Sequence, residues 1–335
     1  MSESSAASAV ADRLVFVLGA PRSGTSWIAK ILDSHPDVLY RHEPDTDLRD
    51  RSIPNICEPF EFAAHLTAAR AYVERLRAVR TLRSWGGMPV FPKNYLPAYA
   101  PGVRLVEALL LRGAERLPGV GRLARTAPIP DFVDPRRNRP ACKVIKSVSA
   151  LGRAGLFAAA VPEARYVLIL RHPCGQVGST LRGVHQGRFE SAVHIEGSAT
   201  SRFGSRFGLS PGSLHRMPLA EFLAWEWGIL NSLALEQLRD AAHLKILRHE
   251  DACLAPEAEA RSLLDFAGLD WHPQTARFVA DSTSHDGPDR YYDVFRSSAA
   301  AADRWRRELS PDLQDAILAI ARRTPAGRMF TDPQG

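Results

Sequence analysis

The chain has 335 residues, 45% of them hydrophobic, and a formal net charge of +6. That length fits one large α/β domain or two small ones, and no run approaches the roughly 18 apolar residues of a membrane-spanning helix. The four cysteines, Cys57, Cys142, Cys174 and Cys253, are scattered without a C-x-x-C pair, which argues for a reducing, cytoplasmic setting and against a zinc site.

Residues 1–12, MSESSAASAVAD, are Ser/Ala-rich and acidic, and are expected as a disordered tail ahead of a single domain over 13–330. Leu14–Leu18 is an apolar run with the character of a buried strand. It enters a loop bounded by Gly19 and Gly24 and then a helix carrying Trp27, Ile28, Ile31 and Leu32. A strand, a glycine loop and a helix N-terminus form an oxyanion cradle, because unpaired backbone N–H groups and the positive end of the helix dipole converge there. The loop nearly spells the nucleotide P-loop, but Thr25 stands at the lysine position and the loop cation is Arg22.

A second strand is expected at 37–41, followed by His42, Glu43 and Pro44, and a helix over 60–83. From Trp85 to Pro140 the pattern breaks around one amphipathic helix, Val103–Leu117, and nine of the 24 prolines fall here. Residues 70–140 hold 14 Lys and Arg against 5 Asp and Glu, so the basic character is regional. No nucleic-acid-binding motif accompanies it. An insertion at 85–140 that builds acceptor specificity, or that meets an anionic membrane surface, fits the charge better.

Further strands are expected at 142–146, ending in Lys146 and Ser147, at 166–170 and at 244–248. The 166–170 run ends at Arg171-His172-Pro173 and opens a helix, with Ser179 about two turns in. Ligands of open parallel sheets bind at such carboxyl ends. A Ser/Gly-rich stretch, 185–217, is expected as a mobile loop, and 218–240 as a helix. Together these elements predict a three-layer, P-loop-like α/β fold with a mostly parallel central sheet flanked by helices.

The segment P-R-S-G-T-S-W at 21–27 and the R-x-P-x-x-x-x-x-S spacing of Arg171, Pro173 and Ser179 resemble the two phosphate motifs of sulfotransferases. These enzymes use 3′-phosphoadenosine 5′-phosphosulfate (PAPS). The likeness extends over 14–50, 141–184 and 218–322, and the Glu43-Pro44 dipeptide is similar to the carbohydrate-type branch and many bacterial members. The resemblance implies PAPS as cofactor and PAP as product, with no metal. Arg22, Ser23, Gly24, Thr25, Ser26 and Trp27 would hold the 5′-phosphosulfate, and Arg171 and Ser179 the 3′-phosphate. Glu43 would be the base if burial raises its pKa, with His42 as the rival. Lys146 and Ser147 would face the sulfonate, and Arg304 and Arg306 would reach the 3′-phosphate or adenine pocket. The acceptor implied is a hydroxyl on a glycan or glycolipid. Two other readings stay open: a P-loop kinase or NTPase, and a non-catalytic module that binds PAP or another anion.

Overall fold

The computed structural model describes residues 13–48, 50–131, 133, 139–187, 198–284 and 302–331. The tail expected at 1–12 lies outside them. Five strands, β1 (Arg13–Gly19), β2 (Val38–His42), β3 (Cys142–Ser147), β4 (Arg165–Leu170) and β5 (Leu244–Arg248), form one sheet in the order β2-β3-β1-β4-β5. Each neighbouring pair is parallel. All five fall close to the runs expected from the sequence; β1 and β4, covered on both faces, are nearly unbroken apolar stretches, whereas the edge strand β5 is only partly covered.

The helices of the N-terminal half are α1 (Thr25–Asp33), α2 (Pro44–Leu48), α3 (Phe62–Ala78), α4 (Ala100–Ala114), α5 (Gly121–Thr126) and α6 (Ala154–Ala160). Then come α7 (Pro173–His185), α8 (Ala199–Phe203), α9 (Pro211–Leu214), α10 (Leu219–Leu238) and α11 (His249–Leu254). The last five are α12 (Pro256–Ala267), α13 (Pro273–Thr283), α14 (Arg304–Glu308), α15 (Pro311–Arg322) and α16 (Pro325–Thr331).

Side-chain alternation along β1 shows why the sheet is the middle layer. Leu14, Phe16 and Leu18 face a core closed by Tyr72 of α3, Phe157 of α6 and Leu238 of α10. Val15 and Val17 face a second core closed by Ile28 of α1, Leu264 of α12 and Phe278 of α13. The result is the expected three-layer arrangement. From β1 the chain crosses to β2, returns through β3 beside β1, and then moves to β4 on the other side of β1. The carboxyl ends of β1 and β4 therefore border a topological switch point.

In the insertion, α4 starts three residues before the expected Val103, since Pro101 is tolerated in a helix's first turn. Its inner face buries Arg104 and Ala108, the latter beside Trp85 and Ile129. Its outer face is apolar too: Tyr99, Val106, Leu109, Leu110, Leu117 and Leu123 in and around α4 and α5 are 56–71% exposed. Of the stretch 185–217, residues 188–197 lie outside the described residues. Its remainder carries α8 and α9, each started by a serine N-cap, Ser198 and Ser210, and Phe203 is buried against Trp225 and Ile229. Among the described residues, no helix is long and apolar enough to cross a membrane.

Candidate active site

β1 delivers the chain into a tight turn, with the Ser23 N–H donating to the Ala20 carbonyl at 3.1 Å. Gly24 is the N-cap of α1 with φ 90°. A Cβ at this position would also run into the His249 ring, so glycine is required by both backbone and space. No side chain caps α1, and its first-turn N–H groups remain an anion-binding end. The Ser23 hydroxyl is fully buried against Gly19, and the Thr25 methyl packs there too. The Ser23 N–H is already engaged by the Ala20 carbonyl and its hydroxyl is enclosed, so Ser23 shapes the turn. Ser26 is partly exposed, and Trp27 donates its indole N–H to Ser282 Oγ at 3.1 Å.

The second anchor starts where Pro173, in the first turn of α7, fixes the helix entry directly after β4. Arg171 Nη1 donates to the Arg22 carbonyl at 2.9 Å, and Arg22 Nε donates to Ser179 Oγ at 3.1 Å. Two motifs about 150 residues apart in sequence thus meet in one crevice. Burial pushes the Arg171 pKa down to about 10, opposed by Glu250, so the guanidinium stays charged at neutral pH. Its Nε is buried without a hydrogen-bond partner. Glu250, at the start of α11, accepts the His172 backbone N–H at 3.0 Å and so ties the end of β5 to this anchor.

Trp305 of α14 is buried and stacks on the His172 ring at 4.2 Å with 9° between planes. Its neighbours form ion pairs close by: Arg304 Nε lies 3.9 Å from Glu308, and the exposed Arg306 lies 3.0 Å from Asp303. Trp305, between the two arginines expected near the nucleotide, is thus a residue of this segment that meets the second anchor.

On the other side of β1, β2 and β3 run in register with His42 opposite Lys146. The Glu43 N–H donates to the Lys146 carbonyl at 2.8 Å, and Lys146 Nζ bonds Glu43 Oε1. Arg83 stands 3.7 Å from the other carboxylate oxygen. Burial raises the Glu43 pKa, but Lys146, His42 and Arg83 outweigh it and hold the group below the usual carboxylate range. This corrects the expected elevation: Glu43 is ionised and oriented, and its basicity is not enhanced. Burial and Lys146 drive His42 down to about 3, which leaves it a neutral, weak base. Lys146 is 2% exposed and turned onto Glu43, while Ser147 Oγ donates to Asp45 Oδ2. Arg22 (φ 70°) and Glu43 (φ 45°) are the non-glycine residues with positive φ among the described residues. Strain of this kind gathers at functional sites.

Asp45, Arg153 and His249 were not among the candidates expected from the sequence. Asp45 follows Glu43 by two residues and has the look of an ordinary first-turn acid of α2. Arg153 lies in a short 3-10 turn, Leu151–Arg153, with no motif around it. His249 was findable, since it directly follows β5 at the sheet's ligand-binding end.

The model of a family described as the sulfotransferase family matches residues 15–273. The chain belongs to the sulfotransferase family. It is similar to carbohydrate sulfotransferase 1 of Homo sapiens, at 22% identity over 324 residues, 89% of this chain and 74% of that protein. Carbohydrate sulfotransferase 1 of Danio rerio is 23% identical over 332 residues, 91% of this chain and 75% of its own. A solved sulfotransferase from Alicyclobacillus acidocaldarius aligns with a TM-score of 0.45 at 17% identity, over 97% of this chain and 98% of that one. Mouse sulfotransferase SULT7A1 complexed with PAP gives 0.45 at 12% identity, over 96% and 89%. This sulfotransferase is therefore an enzyme, and its reaction class is sulfuryl transfer.

Proposed function

We propose that this sulfotransferase uses PAPS as donor, releases PAP, and sulfates a hydroxyl of a glycan or glycolipid. The observation that carries the reading is the contact of the two anchors, Arg171 to the Arg22 carbonyl and Arg22 to Ser179. A nucleotide phosphorylated at one end needs one cationic anchor, whereas one phosphorylated at both the 5′ and 3′ positions uses two. The residues fit such a group. The uncapped N-terminus of α1 and the unpartnered buried Nε of Arg171 are donors suited to phosphate oxygens.

When bound, PAPS supplies an activated sulfuryl group whose S–O bond to phosphate breaks as the acceptor oxygen attacks in line. Arg22 stabilises charge on the departing phosphate, an effect worth about 3–4 kcal/mol for one well-placed donor. It stays protonated and so acts as a fixed charge, not as a proton donor. Ser23, Gly24, Thr25, Ser26 and Trp27 present the N-terminal end of α1 to the 5′ group, and Arg171 and Ser179 hold the 3′-phosphate. Arg304 and Arg306 border the nucleotide through α14. Glu43 takes the acceptor's proton, with Lys146 keeping it ionised and aimed. The scheme requires no divalent metal.

The glycan class is supported by the likeness to carbohydrate sulfotransferase 1. The basic composition of 70–140 and the apolar outer face around α4 support peripheral contact with an anionic membrane, made by an 85–140 insertion in a single domain. Incubation with radiolabelled PAPS and a panel of glycosides and glycolipids tests the reaction. Transfer of label to a hydroxyl with equimolar PAP is expected. Transfer of phosphate from ATP in place of sulfate from PAPS contradicts it.

A further inference from the structure

Between the Ala20–Pro21 turn, α7 and α10 lies a cleft of about 680 Å³, the size of a small-molecule site. Neither Arg171 nor Ser179 lines it, so it is separate from the nucleotide anchors. Its wall nevertheless includes Pro21, next to Arg22, and Val148 and Ser149, just past Lys146 and Ser147.

One end of the cleft is polar and built. Arg153, 3% exposed, donates Nη2 to Tyr72 OH at 2.9 Å and lies over the Tyr72 ring, but its Nε and Nη1 have no hydrogen-bond partner. Asp45, 8% exposed, accepts from Ser147 on Oδ2 and stands 3.9 Å from Arg153, while its Oδ1 receives no hydrogen bond from another residue. Gln176 Oε1 of α7 is also buried and unpartnered. A buried polar atom left unpaired costs about 1–3 kcal/mol, and native folds keep few of them. Unpaired atoms on three side chains lining one cleft call for a ligand. The rest of the wall carries four aliphatic side chains, Ile56, Val177, Leu223 and Leu230, alongside the charged Asp50, Arg51 and Glu226.

We propose that this cleft is the acceptor site and takes an uncharged amphiphilic alcohol, its hydroxyls on Asp45, Arg153 and Gln176 and its apolar body along Ile56, Val177, Leu223 and Leu230. The inference rests on the PAPS-dependent reading and narrows its acceptor. Both signs of charge line the cleft, Asp45, Asp50 and Glu226 against Arg51 and Arg153, so an anion would meet carboxylates and a cation would meet guanidiniums. Hydroxyls, which donate and accept at once, satisfy both. The aliphatic wall is matched by a hydrocarbon body and left unused by a bare sugar. The Ser147–Asp45 bond sets the polar end beside the Glu43–Lys146 pair, where the acceptor's proton must leave.

The test uses octyl β-D-glucoside below its micelle concentration, with methyl β-D-glucoside as comparator. Binding is followed by calorimetry with and without PAP, and rates with PAPS. The octyl compound should bind at least about tenfold more tightly than the methyl one. Asp45→Asn should weaken octyl glucoside binding and raise KM by about tenfold or more. Leu223→Trp, which fills the apolar half, should remove the preference for the octyl chain. In both variants PAP affinity should stay unchanged, which also reports that they are folded. Equal affinity for the two glucosides, or variants that bind octyl glucoside like the unaltered protein, overturns the proposal while PAP binding stands. Failure of the unaltered protein to bind PAP overturns instead the function reading beneath it.

Discussion

Arg22 and Glu43 both hold positive φ angles, 70° and 45°, that side chains bearing a Cβ seldom adopt. Each lies in the bend just past the end of a strand, where the chain must swing its side chain across the carboxyl edge of the sheet. Glu43→Gln keeps the shape and removes the proton acceptor, so turnover should fall by about a hundredfold or more while PAP affinity is retained. Normal turnover would reject Glu43 as the base. The Glu43–Lys146 ion pair sets a stability test. The folded Glu43 pKa lies below its ordinary value of 4.5, so the pair's contribution is present above that pH and is lost as pH falls through the lowered value. Glu43→Gln should abolish that segment of the pH dependence in urea titrations. Lys146→Met leaves the carboxylate without its main partner and should cost about 3 kcal/mol. The placement of Glu43, Arg22, Arg171 and Ser179 was legible in the sequence because strand, loop and helix signals lie beside them. The direction of the Glu43 shift was not, since Lys146 is 103 residues away and only strand register brings it near.

At the scale of elements, the loop and α1 work as one device because Gly24 permits both the left-handed turn and the approach of His249. Gly24→Ala should cost about 1–2 kcal/mol through its backbone alone, and PAP affinity should drop along with stability. Adding His249→Ala should restore the space but not the affinity, since φ remains unfavourable. Full recovery would mean that crowding, not backbone geometry, makes glycine necessary. The five strands were readable from apolar runs, and α10 from its stripe of Leu219, Phe222, Leu223, Trp225 and Trp227. The short α8 and α9 were not, because their signals are single serine caps within a polar stretch that has no apolar period. The stacking of Trp305 on His172 was equally hidden, as it joins segments that share no sheet pairing.

For the whole molecule, the strand order puts the two anchors on neighbouring strands and leaves the 85–140 segment outside the sheet. Its side chains at Tyr99, Val106, Leu109, Leu110, Leu117 and Leu123 form an exposed apolar surface within the chain's most basic region. Vesicles containing phosphatidylserine should therefore bind the protein, more weakly as salt rises. Phosphatidylcholine vesicles should bind it less. Leu109→Asp with Leu110→Asp, on the outer face of α4, should abolish binding without unfolding the chain. Binding that survives both changes would place the contact elsewhere. Whether the two phosphate anchors serve one nucleotide is decided by calorimetric titration with PAP and with adenosine 5′-monophosphate, repeated on Ser179→Ala. PAP should bind about a hundredfold or more tightly than the monophosphate, since its second phosphate gains charge-assisted hydrogen bonds, and the variant should narrow this gap. Equal affinity for the two nucleotides would contradict this shared role.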